Sequence, residues 1–226
     1  MLSAIIVAGG RSQRMGFDKL LASLAGRSVV AHSIAAFEQT KSVTDIILVG
    51  RAERLSAYEK IVALQGFGKV SAIIPGGARR QDSVRCGLQK LPAENDFVAV
   101  HDAARPLVRP EMIEQIFQLA RRHGGAASAA PVSDTLKRVD RELAVIGGVE
   151  RADLFAVQTP QIFQRELLEK AYAAIFEAGL DVTDEISAVE RAGGRVVLLP
   201  NEEPNFKITW PADLPLAEFV LRQRAV

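Results

Sequence analysis

Seven short apolar runs most constrain how this chain can fold: residues 4–7, 46–49, 70–74, 97–100, 126–130, 154–157 and 196–199. Each is four or five residues long, rich in Val and Ile or in small residues, and bounded by Gly, Pro or Asp. A strand covered on both faces reads this way, because no position along it needs to meet water. Between the runs lie stretches with helical spacing. Val29, Val30, Ser33, Ile34 and Phe37 share one face, as do Met112, Ile113, Ile116, Phe117 and Ala120, and also Leu167, Leu168, Ala171, Ile175 and Phe176. This alternation predicts an α/β fold, a single Rossmann-like three-layer domain with a mostly parallel twisted sheet between helices. With no internal repeat and no Pro/Ser-rich linker, residues 1–226 are read as one domain.

Composition narrows the function. Hydrophobic residues make up 48% and charged residues 24%, enough apolar mass for a sizeable core and unlike a disordered chain. Twenty-eight Lys+Arg against 27 Asp+Glu leave a net charge of +1, so no nucleic-acid partner is expected. One cysteine, Cys86, permits neither an internal disulfide nor a Cys-based zinc cluster and reads as a helix-packing thiol. His32, His101 and His123 are too dispersed for a His-rich metal site. The opening residues lack a basic targeting region, and no 18 uncharged apolar residues run together. A cytoplasmic protein without membrane spans is expected.

Residues 133–151 (SDTLKRVDRELAVIGGVER) break the rhythm. They are polar, weakly periodic and carry a Gly147-Gly148 turn signal, so they read as a protruding β-arm or as a mobile surface loop.

In an open parallel sheet the ligand crevice lies beyond the carboxyl ends of the strands, so the residues after each run matter most. After the first run comes Ala8-Gly9-Gly10-Arg11-Ser12-Gln13-Arg14-Met15-Gly16-Phe17-Asp18-Lys19. It has neither P-loop nor dinucleotide spacing, which removes the main support for an NAD(P) oxidoreductase. Its glycines can admit phosphate oxygens to backbone N–H groups while Arg11, Arg14 and Lys19 add positive charge; the alternative is a plain turn. After the third run, Asp82 or Ser83 can cap the following helix and point its positive end at the crevice. The fourth run ends in His101-Asp102-Ala103-Ala104-Arg105-Pro106. Asp102 and Arg105 suit either a Mg²⁺–phosphate site or an internal ion pair. His101 falls on the opposite side of the strand from Asp102, as a packed residue rather than a catalyst. Later, Thr159, Thr183 and Lys207 follow strands or open a helix; Lys207 is aimed either at solvent or at an anion.

Together these residues resemble the 2-C-methyl-D-erythritol 4-phosphate cytidylyltransferase family of the non-mevalonate isoprenoid pathway. The resemblance spans about Ala4 to about Phe219 and rests on five segments in order. They are Gln81-Asp82-Ser83-Val84, Val100-His101-Asp102-Ala103-Ala104-Arg105-Pro106, Thr159-Pro160-Gln161, Thr183-Asp184-Glu185 and Lys207-Ile208-Thr209. It implies that CTP and methylerythritol phosphate give CDP-methylerythritol and pyrophosphate, by in-line attack on the α-phosphate with Mg²⁺ or another hard divalent cation. By the same resemblance Arg14, Lys19, Arg151 and Lys207 are catalytic, and Ala8, Gly9, Gly10, Gly77, Ser83 and Asp102 bind the nucleotide. Asp102, Arg105, Thr135, Arg151, Thr159, Thr183 and Lys207 would hold the acceptor, and Asp102 the metal. The resemblance also makes residues 133–151 the dimerisation arm of a homodimer, lending Thr135 and Arg151 to the neighbouring site. The chain departs from the family's habits at Val7-Ala8-Gly9-Gly10, in the short spacer from Met15 to Lys19, and at Ala78-Arg79. The competing functions are a cytidylyltransferase for another polyol phosphate, such as ribitol 5-phosphate, and a non-catalytic nucleotide-binding regulator.

Overall fold

A computed structural model describes residues 1–224. In chain order its elements are β1 (Leu2–Ala8), a short hairpin of β2 (Ser23–Leu24) and β3 (Arg27–Ser28), α1 (Val29–Gln39), β4 (Val43–Gly50), α2 (Leu55–Gln65), β5 (Val70–Pro75), α3 (Arg80–Leu88) and β6 (Phe97–Asp102). There follow α4 (Pro110–His123), β7 (Gly125–Pro131), β8 (Lys137–Val139), β9 (Val145–Gly148), β10 (Phe155–Gln164), α5 (Arg165–Glu177), α6 (Glu185–Arg191), β11 (Val197–Pro200) and α7 (Asp213–Arg224). Seven strands form one sheet in the order β11-β7-β10-β6-β1-β4-β5. Only β10 runs antiparallel to its neighbours, β6 and β7. All seven apolar runs fall on strands of this sheet, those at 154–157 and 196–199 starting one residue ahead of the strand, and helices cover both faces.

Side-chain alternation along β1 divides the core. Leu2, Ala4 and Ile6 pack with α1 and α4 on one face, whereas Ile5 joins Ile47, Val98 and Val100 beneath α3, α5 and α6 on the other. The faces expected of α1 and α4 are buried in full. On α5, Leu168, Ala171 and Ile175 are buried, while Leu167 and Phe176 pack partly exposed at the margin.

Three strand expectations need correction. Residues 70–74 and 196–199 belong to the two edge strands, β5 and β11, partly open to solvent rather than covered on both faces. Residues 154–157 are mainly the solvated beginning of β10; the buried part, Thr159 to Phe163, lies beyond them and includes the polar Thr159 and Gln161. The register of β10 against β7 shifts between Val157 and Gln161, a local irregularity of the kind that re-aims side chains next to a site.

The segment 133–151 is a protruding hairpin, β8 against β9, and not an unstructured loop. Its turn is not at Gly147-Gly148, which lie in β9. It lies at Asp140–Leu143, where the Asp140 carboxylate accepts from the backbone N–H groups of Glu142 and Ala144, both at 2.9 Å. Asp140 can close the turn because its side chain replaces the backbone acceptors that a strand pair would supply. Among the described residues no helix is long and apolar enough to cross a membrane.

Candidate active site

A cleft of about 590 Å³ opens at the carboxyl ends of β1, β4, β5 and β6. Gly9 and Gly10 form one wall, Gly76 and Gly77 another, and Lys19, Ser83, Asp102 and Lys207 converge on it. A smaller recess of about 280 Å³ adjoins it, lined by Arg105, Thr159, Gln161 and Thr183 among others. Arg80, Asp102 and Lys207 line both spaces, so they form the partition between them.

The glycine wall exists because backbone and helix approach too closely for a side chain. A Cβ on Gly77 would stand 2.3 Å from the Asp82 Cβ, and one on Gly76 would stand 2.5 Å from the Ser83 Oγ. The N-terminus of α3 therefore abuts the cleft, with its free N–H groups available to an anion. Its cap differs from the expected one. Arg79 is the N-cap, and neither Asp82 nor Ser83 occupies that position. Asp82, at the third helical position, accepts from the Arg79 backbone N–H at 3.0 Å. Ser83 accepts from the Gly77 N–H at 3.2 Å and so holds the glycine turn against the helix.

Asp102 is the electrostatic centre. Its Oδ1 accepts from Arg80 Nε at 3.0 Å and its Oδ2 from Lys207 Nζ at 2.9 Å, with Arg105 Nε 3.9 Å away. Burial alone would raise this carboxyl, but Arg80, Lys207 and Arg105 outweigh it and hold Asp102 well below the usual carboxylate range. Of the alternatives for Asp102 the ion pair is present, to Arg80 and Lys207 more closely than to Arg105, and the residue also lines the cleft. Lys19 is buried, and its ammonium donates to the Ile208 carbonyl at 2.5 Å. Burial, with Lys207 and Arg14 nearby, lowers its proton affinity.

Behind the partition, His101 is fully buried and packs against Phe37, ring centroids 5.0 Å apart. The Arg105 carbonyl can only accept, so His101 Nε2 carries the hydrogen of the neutral ring and donates to it at 3.2 Å. Nδ1 is then the acceptor, and the Thr159 hydroxyl donates to it at 3.2 Å while its Oγ1 accepts from the Asp102 backbone N–H at 3.0 Å. Burial pushes His101 down to about 3, so the ring is neutral at ordinary pH.

The site residues anticipated from sequence divide into three groups. Gly9, Gly10, Lys19, Gly77, Ser83, Asp102 and Lys207 meet at the cleft, and Arg105, Thr159 and Thr183 join the last two at the recess. Ala8 lies buried at the end of β1 instead of on the cleft wall, its carbonyl accepting from the Tyr58 hydroxyl at 3.3 Å. Arg14 is exposed above the Trp210 ring, 5.1 Å from its centroid. Thr135 and Arg151 lie outside both spaces, in the protruding segment, where the Arg151 guanidinium bonds the Ser133 carbonyl.

Comparison with known proteins agrees with this geometry. The family model described as IspD, 2-C-methyl-D-erythritol 4-phosphate cytidylyltransferase, matches residues 2–223. The chain belongs to the IspD family. The 2-C-methyl-D-erythritol 4-phosphate cytidylyltransferase of Desulforamulus reducens is 42% identical over 224 residues, 98% of this chain and 96% of that protein. The crystal structure of the Thermus thermophilus enzyme of the same name superposes with a TM-score of 0.80 at 31% identity, covering 96% of this chain and 98% of that one. A 4-diphosphocytidyl-2C-methyl-D-erythritol synthase from Anaerococcus prevotii gives 0.86 at 26% identity, over 98% and 96% of the two chains.

Within this IspD-family site, several residues escaped the sequence reading. Arg80 was passed over beside Arg79, although it joins Asp102 to Glu185. Gln161 accepts from the backbone N–H groups of Glu185 and Ile186 at 3.1 and 3.2 Å, which moors the start of α6 to β10. Asp184, not Thr183, is the N-cap of that helix. Asn205 donates to Gln158 Oε1 at 3.1 Å and to the Thr159 carbonyl at 3.0 Å, fixing the approach to Lys207. Position relative to strand ends could have flagged Arg80; nothing in local pattern marks Gln161 or Asn205.

Mg²⁺ is commonly held by one or two carboxylates together with substrate phosphates. Asp102, ionised and at the cleft, fits as the single carboxylate of such a site. No group of three or more His, Cys, Asp and Glu side chains among the described residues could hold a metal unaided.

Proposed function

We infer that this chain transfers the cytidylyl group of CTP to 2-C-methyl-D-erythritol 4-phosphate, giving CDP-methylerythritol and pyrophosphate. It is a CTP-dependent nucleotidyltransferase. The observation that carries the reading is the shared partition: a glycine-walled cleft and a smaller polar recess meet at Arg80, Asp102 and Lys207. A triphosphate in the cleft and an acceptor phosphate in the recess would then meet at one point.

An oxygen of the acceptor phosphate attacks the α-phosphorus of CTP while the bond to the bridging oxygen of the departing pyrophosphate breaks. The attacking oxygen is already ionised, so no base is needed; catalysis is alignment and neutralisation of charge. Lys19 and Lys207 supply fixed positive charge at the phosphates, and Arg14 adds to it from the mouth of the opening loop. Gly9, Gly10, Gly77 and Ser83 cradle the nucleotide, with Ala8 beneath them. Arg105, Thr159 and Thr183 hold the acceptor. Asp102 would hold Mg²⁺, which when bound neutralises phosphate charge.

The same reading takes residues 1–226 as one nucleotidyltransferase domain with residues 133–151 as a dimerisation arm. The exposed apolar side chains Val139, Leu143, Val145 and Ile146 support an arm that is covered by a second copy. Thr135 and Arg151 would then serve the partner's recess. A cytoplasmic setting suits the single free thiol, Cys86. The names of the most similar relatives favour methylerythritol phosphate over ribitol phosphate, and an enzyme over a regulator.

The test is a pyrophosphate-release screen of CTP, UTP, ATP and GTP against methylerythritol 4-phosphate and ribitol 5-phosphate. CTP with methylerythritol phosphate should be at least about tenfold faster than any other pair, within the usual discrimination of a shaped pocket. Faster use of ribitol phosphate would overturn the acceptor, and CTP binding without release would overturn catalysis.

A further inference from the structure

Glu185 is a carboxylate that is fully buried, in the first turn of α6. Its oxygens accept from Arg80 at 2.7 and 3.0 Å and from the Tyr172 hydroxyl at 2.9 Å. Neither the cleft nor the recess reaches Glu185. A buried charge forfeits its hydration and survives only where partners replace it, so the useful question is what this ion pair accomplishes. Arg80 supplies the answer. Its two terminal nitrogens are taken up by Glu185 in a bidentate fork, which fixes the guanidinium plane. That leaves Nε to donate to Asp102 Oδ1 at 3.0 Å, while the other oxygen of Asp102 receives Lys207.

We propose that Arg80, braced by Glu185 and Tyr172, is a positioning residue that acts through Asp102 to hold Lys207 at the junction of the two subsites. The proposal rests on the functional reading above and adds residues outside the reacting groups. The line Tyr172–Glu185–Arg80–Asp102–Lys207 runs from α5 through α6, α3 and β6 to the segment after β11, so five parts of the fold set one ammonium. Lysine in place of Arg80 could pair with one carboxylate but could not bridge two, because a single ammonium lacks the planar fork.

A double-mutant cycle between Arg80→Gln and Asp102→Asn tests this. Arg80→Gln should lower kcat/KM for the acceptor about 30-fold in the wild-type background, and less than threefold where Asp102→Asn is already present. The KM for CTP should stay within threefold, and Arg80→Lys should not restore the loss. Tyr172→Phe keeps the buried ring and removes only one oxygen; assayed well below its melting transition, it should lower kcat about threefold while the KM for CTP stays unchanged. Equal losses from Arg80→Gln in both backgrounds, restoration by lysine, or an unaffected Tyr172→Phe would overturn the proposal. If the wild-type chain releases no pyrophosphate, the functional reading fails alone. The same cycle, read by calorimetry as affinity for inorganic phosphate, then decides the positioning role by the same non-additivity.

Discussion

Acidification should destabilise this protein through His101. The ring is fully buried, its two nitrogens are engaged by Thr159 and the Arg105 carbonyl, and burial takes it from the ordinary 6.5 to about 3. The unfolded chain therefore takes up a proton that the folded chain refuses. Stability is full above about pH 6.5 and falls as pH drops toward about 3, by about 1.4 kcal/mol per unit within that window. Between about pH 7 and about pH 4.5 the loss integrates to about 2.5 kcal/mol. With an m-value of about 2–3 kcal/mol/M, the urea midpoint moves down by about 1 M. His32 is lowered by burial too and contributes in the same direction, so the measurement is a difference between proteins. His101→Asn keeps an acceptor where Nδ1 stands and removes the titration. In metal-free buffer its midpoint should fall by about 1 M less than that of the wild type over the same interval. Identical losses in the two proteins would refute the reasoning.

Lys19→Ala should lower kcat about 10²–10³-fold, the usual loss when one preorganised charge stabiliser is deleted; a steady-state assay showing less than tenfold would make Lys19 peripheral. Gly77→Ala should force the Asp82 contact apart at a cost of about 2 kcal/mol, a fall of about 6 °C in Tm, with a higher KM for CTP; an unchanged Tm by scanning fluorimetry would show that the turn yields freely. If the arm is exchanged between subunits, Arg151→Ala mixed with Lys207→Ala should recover part of the lost activity in hybrid dimers. No recovery despite demonstrated subunit exchange would count against shared sites.

The faces of α1 and α4 were legible because their apolar residues recur at helical spacing and meet a single surface. Edge strands were not. Residues 70–74 carry the same Val and Ile as a central strand, and only the sheet order reveals that β5 has one neighbour. The buried half of β10 was hidden by Thr159, Pro160 and Gln161, whose polar groups are satisfied by distant partners and so look like loop residues in the chain. The cleft residues Gly9, Gly10, Lys19 and Asp102 were readable, because Asp102 closes a strand and the others lie in the loop after one, where such folds bind ligands. Arg80 was not, since its direction depends on where α3 starts, and that start was expected at Asp82 or Ser83 instead of Arg80. The hairpin at 133–151 was foreseen, but Asp140 turns it where the two glycines were expected to do so.

The Thr159 hydroxyl has already spent its only hydrogen on the imidazole and one lone pair on the main chain of Asp102. One lone pair remains on that oxygen, in a residue that lines the recess. Whatever settles against it must therefore bring its own hydrogen. An alcohol group of a sugar-like molecule satisfies that demand, whereas a carbonyl or a fully ionised phosphate oxygen meets only electron density. In the proposed complex Thr159 would therefore meet an alcohol of the acceptor and leave its phosphate to the cations of the partition.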